Sequence, residues 1–321
     1  MARKDERNEG EWSRDLIERL ATDSQKERRR TRRWGIFFKL LTFAYLAALL
    51  ALLVPSKWSG STIGDEPHTA LVKLDGLIAP GEKASADKVV TGLRDAFEDE
   101  NTKAVILRIN SPGGSPVQSS YMHKEIIRLR EEYPDIPLYA VVSDVCASGG
   151  YYVAAAADEI YVNESSLIGS IGVMVNGFGF VDAMEDLGIE RRLITAGDHK
   201  GILDPFSPLN SFDAEHVEGL VDELHQTFIE AVKTGRGDKL KGTDDMLFSG
   251  LFWNGEEGIE LGLADGIGSA SYVAREIVGV EEIVDFTSTE DPLMRLVDRL
   301  GASIGRTLAQ YAGMESPFSL R

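Results

Sequence analysis

The residues of this sequence that could carry chemistry begin with a serine in a glycine-rich turn. Ser148 follows the apolar run Leu138–Val142 and directly precedes Gly149, where a stretch rich in glycine and alanine begins. A turn from a strand into a helix exposes such a side chain, and the helix N-terminus favours the negative charge that develops during acyl transfer. Ser148 is therefore a candidate nucleophile. The alternative is that its hydroxyl caps the helix, which is the commoner role of serine at such a position.

A second candidate is the glycine pair Gly113 and Gly114, in the run Asn110–Ser115 that follows the apolar stretch Ala104–Ile109. Glycine has no Cβ atom, so consecutive glycines at the end of a strand can direct backbone N–H groups at an oxyanion. The alternative is an ordinary turn between a strand and a helix, in which proline and glycine are common.

Lys200 is the third candidate, in the segment Gly197–Gly201. A lysine acts as a general base only where desolvation leaves its amine neutral, and most loop lysines are simply solvated. His199 beside it offers a competing Ser-His mechanism, with Asp198 or Asp204 as the carboxylate that orients the ring.

The framework that must position these residues alternates short apolar runs with stretches of helical periodicity. This alternation predicts an α/β fold with a largely parallel sheet covered by helices. The predicted strands are Leu71–Leu74, Ala104–Ile109, Leu138–Val142, Glu159–Val162, Gly172–Val175 and Arg192–Thr195. The predicted helices are about Ala84–Phe97, Val117–Glu132, Gly149–Ala157 and Ala214–Val232.

Composition and charge narrow the classes of function. The 321 residues are 43% hydrophobic, which suffices for a real core, and the net charge of -18 makes a nucleic-acid-binding surface unfavourable. The single cysteine, Cys146, excludes an intramolecular disulfide, and we expect it to be a small buried residue and not a second nucleophile. The five histidines do not share metal-ligand spacing and no nucleotide-binding glycine motif is present, so we expect no metal and no cofactor.

The stretch from Trp34 to Pro55 predicts a transmembrane helix, since it contains one charged residue, Lys39, and is long enough to cross a bilayer. Residues 1–33 carry 11 basic and 8 acidic side chains, so the rest of the chain carries -21. The positive-inside rule then places the N-terminus in the cytoplasm. The alternative is a signal peptide cleaved near Ser59–Ser61.

We therefore expect a single-pass protein of the inner (plasma) membrane whose folded domain lies outside the cytoplasm, in the periplasm. The predicted parts are a basic cytoplasmic segment 1–33, a transmembrane helix 34–55, a linker 56–68, a folded domain 69–290 and a helical tail 291–321.

In their order and spacing, these motifs resemble those of the signal peptide peptidase SppA family, Ser-Lys proteases related in fold to the ClpP and crotonase superfamily. The resemblance covers about Thr69–Gly279, which would be an SppA-like protease domain. It rests on Ser-Pro-Gly-Gly-Ser at 111–115, Ala-Ser-Gly-Gly-Tyr-Tyr at 147–152, the run 167–173, Lys200, and the segments 255–258 and 262–265.

The resemblance implies that Ser148 attacks the peptide carbonyl while Lys200 takes its proton and then returns it to the leaving amine. Ser170 matches the serine that orients the lysine in this family. Gly114 and the N–H of Gly149 match the oxyanion hole, and Gly113 shapes that loop.

The resemblance also implies a ring-shaped homo-oligomer in which the serine of one subunit meets the lysine of its neighbour. The implied substrates are signal peptide remnants and other hydrophobic peptides. The alternatives are a quality-control protease that cleaves intact membrane proteins, a crotonase-type acyl-CoA enzyme and an inactive scaffold. The acidic body disfavours the phosphates of coenzyme A, and the presence of both Ser148 and Lys200 argues against a decayed site.

Overall fold

The structure is a computed structural model that describes residues 34–46 and 66–288. Residues 34–46 form an exposed helix. They belong to a different compact unit from Thr62–Thr289. Over the described ranges, no helix combines the length and the apolar character needed to cross a bilayer. The predicted segments 1–33, 47–55 and 291–321, and the predicted linker as far as residue 65, lie outside the described residues.

The unit that holds the candidate residues is built on one mixed sheet. Its strands are β1 (His68–Asp75), β2 (Thr102–Ser111), β3 (Leu138–Ala147), β4 (Glu159–Val162), β5 (Leu167–Gly169), β6 (Phe252–Trp253), β7 (Gly266–Ile267) and β8 (Ile283–Asp285). They lie in the order β6-β5-β3-β2-β1-β8, while β4 pairs with β3 and with β7. The β5–β6 pair is antiparallel, and the other pairs are parallel. The predicted α/β class is confirmed.

Local signals in the sequence define several helix ends. Ser115 caps the second helix by accepting the N–H of Gln118, and Pro116 takes its first position. Gly237, with φ 50°, ends the longest helix. The helices are α1 (Ala86–Glu98), α2 (Pro116–Glu132), α3 (Gly149–Ala154), α4 (Val181–Asp186), α5 (Ser211–Arg236), α6 (Asp244–Leu247), α7 (Gly255–Glu260) and α8 (Ala270–Tyr272), which runs into a π-helix at Val273–Val278.

The two faces of the sheet bury different clusters of side chains. On β2, Val105 and Leu107 point into the larger cluster. Ile106, between them, packs with Val273 and Ala274 on the opposite face. Successive residues of a strand alternate between faces, and a parallel strand covered on both sides is apolar at consecutive positions. The unbroken apolar run of β2 is therefore explained by burial on both faces.

Two of the predicted strands are wrong. Gly172–Val175 and Arg192–Thr195 both lie in irregular backbone, and Ile194 is 96% exposed. The strand of this region is Leu167–Gly169, which precedes the first of them. β-Branched residues favour a strand only where a neighbouring strand pairs with them, and the described chain places no such partner beside Arg192–Thr195.

A buried arginine joins the C-terminal part of this unit to the sheet. The guanidinium of Arg236 donates hydrogen bonds of 3.0 and 2.8 Å to the carbonyl of Gly262, and one of 2.7 Å to Asp265. Asp265 in turn accepts the N–H of Ile160, in β4, at 2.7 Å. Gly262 and Asp265 therefore connect α5 to β4 through hydrogen bonds.

His123 is a buried histidine on α2. Its ring lies edge-on to Tyr152, with 5.2 Å between the centroids. Within the described residues, its Nε2 has no hydrogen-bond partner. Burial, assisted by the charge of Lys124, lowers the pKa of His123 from 6.5 to about 4. The folded protein thus keeps this ring neutral at pH values at which the unfolded chain binds a proton.

We expect this histidine to make the fold less stable as the pH falls from 6.5 to about 4, because only the unfolded chain gains a proton in that window. The total loss across the window is about 3 kcal/mol. His123→Leu should remove this part of the pH dependence. Urea unfolding of both proteins at pH 7 and pH 5 measures it, and equal losses in the two proteins would contradict the assignment.

Candidate active site

Three turns that follow parallel strands meet at one edge of the sheet. In the β2–β3 pair Ser111 lies opposite Cys146, and in the β3–β5 pair Ala147 lies opposite Gly169. Because these strands are parallel neighbours, the turns after them lie at the same edge, which is where open α/β sheets bind ligands. The three turns hold five of the six predicted site residues: Gly113, Gly114, Ser148, Gly149 and Ser170.

Ser148 has a strained backbone conformation between β3 and α3. Its φ of 51° and ψ of -123° lie in a region that costs a non-glycine residue about 1–3 kcal/mol and is concentrated at functional sites. Its N–H donates to the carbonyl of Gly169 at 2.8 Å, and its carbonyl accepts the N–H of Tyr152 at 2.9 Å. The Ser148 hydroxyl makes no capping bond to α3, so the helix-cap alternative is wrong. The enzymes of the α/β-hydrolase fold expose their nucleophile on a strained strand-to-helix turn.

The glycine pair is held by the chain that follows β1. The N–H of Ile78 donates to the carbonyl of Gly113 at 2.8 Å, and the carbonyl of Ile78 accepts the N–H of Ser115 at 2.8 Å. Gly114 lies between these two bonds with φ +146°, and a Cβ atom there would lie 2.1 Å from the carbonyl oxygen of Ile78. Only glycine fits at position 114.

Gly149 brings a second backbone N–H to the same place. A Cβ atom on Gly149 would lie 3.3 Å from the nitrogen of Gly114, and one on Gly113 would lie 2.7 Å from the nitrogen of Gly149. Across residues 66–288, neither the Gly114 nor the Gly149 N–H donates a backbone hydrogen bond outside the regular elements. Two N–H groups without such acceptors beside a serine provide what an oxyanion of acyl transfer requires.

Ser111 is a positioning residue that sequence reasoning missed. Its side chain is buried, and its Oγ donates to the carbonyl of Gly76 at 2.7 Å and accepts the N–H of Gly113 at 3.1 Å. It thereby ties the glycine turn to the end of β1. The available signal was a polar side chain two residues after the apolar stretch Ala104–Ile109, which also reads as an ordinary turn residue.

Ser170 stands beside Ser148 at the end of β5. It too has a positive φ, of 52°, and its N–H donates to the carbonyl of Leu251 at 2.7 Å. Because Ala147 and Gly169 are paired, the residues that follow them, Ser148 and Ser170, are neighbours. The structure therefore brings Ser170 to the candidate site.

Lys200 belongs to a different part of the chain. It is exposed in the loop after α4, and its N–H donates to the carbonyl of Gly197 at 3.2 Å. Among the described residues, no hydrogen bond or ion pair joins Lys200 to Ser148 or Ser170. Within the described residues, no polar interaction thus links Lys200 to the turns at the sheet edge.

His199 has a carboxylate partner, but it is neither of the two that we expected. The Nδ1 atom of His199 lies 2.7 Å from Oδ1 of Asp213, at the start of α5. Asp204 instead faces Arg191 at 3.3 Å and accepts the hydroxyl of Ser207 at 2.7 Å. The hydrogen bond from Ser207 holds the pKa of Asp204 below its usual value. Asp213 was missed because its partner lies 14 residues away in the sequence.

Cys146 is fully buried, and burial raises the pKa of its thiol. A buried neutral thiol is a poor nucleophile. The expectation that Cys146 is a buried residue and not a second nucleophile is supported.

Comparison with known proteins identifies the family of this chain. The sequence model of peptidase family S49 matches residues 131–281, a range that contains Ser148, Ser170 and Lys200. "Putative protease MJ0651" of Methanocaldococcus jannaschii is 30% identical over 245 residues, which cover 74% of this chain and 78% of that protein. The chain belongs to peptidase family S49. The resemblance drawn from the motifs is confirmed at this level.

Other relatives of this S49 chain are longer proteins. "Serine protease SPPA, chloroplastic" of Arabidopsis thaliana is 31% identical over 224 residues, which are 67% of this chain and 32% of that protein. "Na(+)/H(+) antiporter NhaA" of Brucella abortus is 41% identical over 244 residues, which are 74% of this chain and 32% of that protein. This chain therefore spans about a third of the length of both, and the antiporter name describes the longer protein.

Gly114→Ala is expected to lower peptide hydrolysis by at least about 100-fold, because the added Cβ atom collides with the carbonyl of Ile78 and displaces one N–H of the glycine pair. Turnover of a fluorogenic peptide measures the loss. Gly81→Ala is the matched control, since Gly81 also has a positive φ, of +81°, but open space around it. Equal losses in the two variants would show that backbone strain, and not displacement of the N–H, causes the effect.

Proposed function

We propose that this S49 chain is a serine endopeptidase in which Ser148 is the nucleophile and Lys200 the general base. The observation that carries the proposal is the strained turn of Ser148 beside the N–H groups of Gly114 and Gly149. As the Ser148 oxygen bonds to the peptide carbonyl carbon, its proton passes to Lys200, and that proton then leaves with the amine as the C–N bond breaks. Water hydrolyses the acyl-enzyme by the same steps.

The site is proposed to be completed by a second copy of the chain. The segment between β5 and α5 exposes many large apolar side chains. Large exposed apolar patches are typical of interfaces. In a ring, Lys200 of one subunit would meet Ser148 of the next, and Ser170 would orient the amine. Burial in that interface would also desolvate the amine, as a neutral base requires. Between β5 and α5, the large apolar residues that are more than half exposed are Met174, Val175, Phe178, Leu187, Ile189, Ile194 and Leu209.

The finer fold, the anchor and the substrate are parts of the same proposal. The largely parallel sheet with its candidate site at the carboxyl edge supports a ClpP/crotonase-like fold. The apolar sequence of residues 34–55 supports a transmembrane anchor, and the basic residues before it support an S49 domain in the periplasm. An anchored peptidase would meet signal peptide remnants and other hydrophobic peptides where they are released. Cleavage of intact membrane proteins in quality control is the alternative use of the same residues.

A second mechanism is favoured by one observation, the contact between His199 and Asp213. An imidazole that donates from Nδ1 to a carboxylate has the orientation of the histidine in a Ser-His-Asp triad. In that mechanism His199, and not Lys200, would take the proton of Ser148.

Substitution of the proposed base and nucleophile decides between these mechanisms. We expect Ser148→Ala and Lys200→Ala each to lower turnover of an apolar fluorogenic peptide by at least about 1,000-fold. Lys200→Arg should be equally inactive, because an arginine stays charged. Lys241→Ala, at another exposed lysine, is the matched control and should keep full activity. Full activity in Lys200→Ala together with loss of activity in His199→Ala would establish the Ser-His mechanism instead.

Mixing of two inactive variants tests whether the site is shared between subunits. Ser148→Ala supplies an intact Lys200, and Lys200→Ala supplies an intact Ser148. If the subunits exchange freely in a ring, about a quarter of the contacts join an intact serine to an intact lysine, and activity returns to about that fraction. Activity that stays at the level of the separate variants, although native mass spectrometry shows mixed rings, would place the whole site in one protomer.

A further inference from the structure

The loop that carries Lys200 is built from consecutive tight turns. The N–H of Lys200 donates to Gly197 at 3.2 Å, that of Ile202 to His199 at 3.1 Å and that of Asp204 to Gly201 at 3.1 Å. Such a loop is internally ordered, but its place on the protein depends on its attachments at either end.

The far end of this loop is attached to the segment around α4. The carbonyl of Pro205 accepts the N–H of Phe180 at 2.7 Å, and the Phe206 ring stacks on Phe180 with 5.5 Å between the centroids. Arg191 faces Asp204 at 3.3 Å. These contacts attach residues 204–206 to the segment around α4. They do not involve Lys200, so the part of the loop that carries Lys200 needs an attachment of its own.

The near end is attached to α5 through His199, the residue next to Lys200. Asp213, whose side chain is 10% exposed, is fixed by Asn210, which accepts its N–H at 2.8 Å and donates to its Oδ2 at 2.6 Å. Its other oxygen lies 2.7 Å from Nδ1 of His199. The His199 ring also stacks on Phe212, with 4.5 Å between the centroids. Within residues 66–288, the hydrogen bond between His199 and Asp213 is the one that joins the segment 197–201 to the chain outside this loop.

We propose that His199 is a positioning residue, which anchors the backbone of Lys200 to the N-terminal turn of α5 through Asp213. The proposal rests on the proposed role of Lys200 as the general base. A lysine side chain has many rotamers, so the place of its backbone limits where the amine can reach. A displacement of about 1 Å at a catalytic group can cost about 100-fold in rate. The contact between His199 and Asp213 prevents such a displacement of Lys200, and His199 itself does not contact the substrate.

An anchor and a general base require different chemistry of the His199 ring. An imidazole with a proton on Nδ1 donates to Asp213 whether or not Nε2 also carries a proton. A base, in contrast, must take a proton on Nε2. Asparagine offers an N–H donor near the place of Nδ1 but has no basic nitrogen. Phenylalanine keeps a ring that can stack on Phe212 but cannot donate.

The test compares His199→Asn and His199→Phe in the full chain, with hydrolysis of a fluorogenic peptide and the assembly state measured together. We expect His199→Asn to keep kcat within about threefold of the wild type, and His199→Phe to lower kcat by about 10- to 100-fold with KM nearly unchanged. Wild-type kcat in both variants would overturn the proposal. Inactivity of His199→Asn equal to that of Lys200→Ala would overturn it as well, by assigning the base to His199.

Asp213→Ala removes the acceptor from the other side and gives a second, independent test of the same contact. We expect the same fall in kcat, and no further fall in the double variant with His199→Phe, because the two residues act through one contact. Additive losses would overturn the proposal. Full activity of Lys200→Ala, by comparison, would refute the proposed function itself and would be seen independently of either His199 variant.

Discussion

The N–H of Ser148 donates to the carbonyl of Gly169 at 2.8 Å, and this bond continues the parallel pairing of β3 and β5 beyond the end of β3. The strained φ of Ser148 is tolerable because neighbouring strands and α3 fix the residues on both sides of it. The same pairing places Ser170 next to Ser148. If β3 and β5 were separated, neither serine would have a defined position.

The glycine turn depends on the sheet in the same way. Gly113 and Gly114 follow β2, the neighbour of β3, and the chain after β1 binds them through Ile78. The resulting contacts leave no room for a Cβ atom at position 114. The segments of backbone that follow four neighbouring strands, β1, β2, β3 and β5, thus meet at one edge of the sheet. The site is a product of strand order, and no single motif contains it.

The segment between β5 and α5 contrasts with this hydrogen-bonded edge. It leaves apolar side chains such as Phe178 and Ile194 exposed. His199, next to Lys200, contacts Asp213 and stacks on Phe212. An exposed apolar segment has a physical explanation when another copy of the chain covers it. The S49 chain therefore combines a preformed serine turn with a lysine loop whose surroundings, in our proposal, are completed by assembly.

Much of this architecture could be predicted from the sequence. The strands from His68 to Val162 and helices α1, α2 and α5 follow from apolar periodicity, and the glycines at 113, 114 and 149 follow from the need for close backbone approach. The bounds of α5 extend beyond the predicted helix because Asn210 and Gly237 cap it at positions outside the apolar stripe.

Only the tertiary structure decided the rest. A run such as Arg192–Thr195 has the composition of a strand, but pairing depends on whether another strand lies beside it, which no local pattern contains. The partner of His199 was likewise undecided, because Asp198, Asp204 and Asp213 are chemically equivalent carboxylates in the sequence. Local backbone preference and apolar periodicity are properties of neighbouring residues and can be read from a sequence. Contacts between residues distant along the chain arise from strand order and packing, and they appear only when the chain is folded.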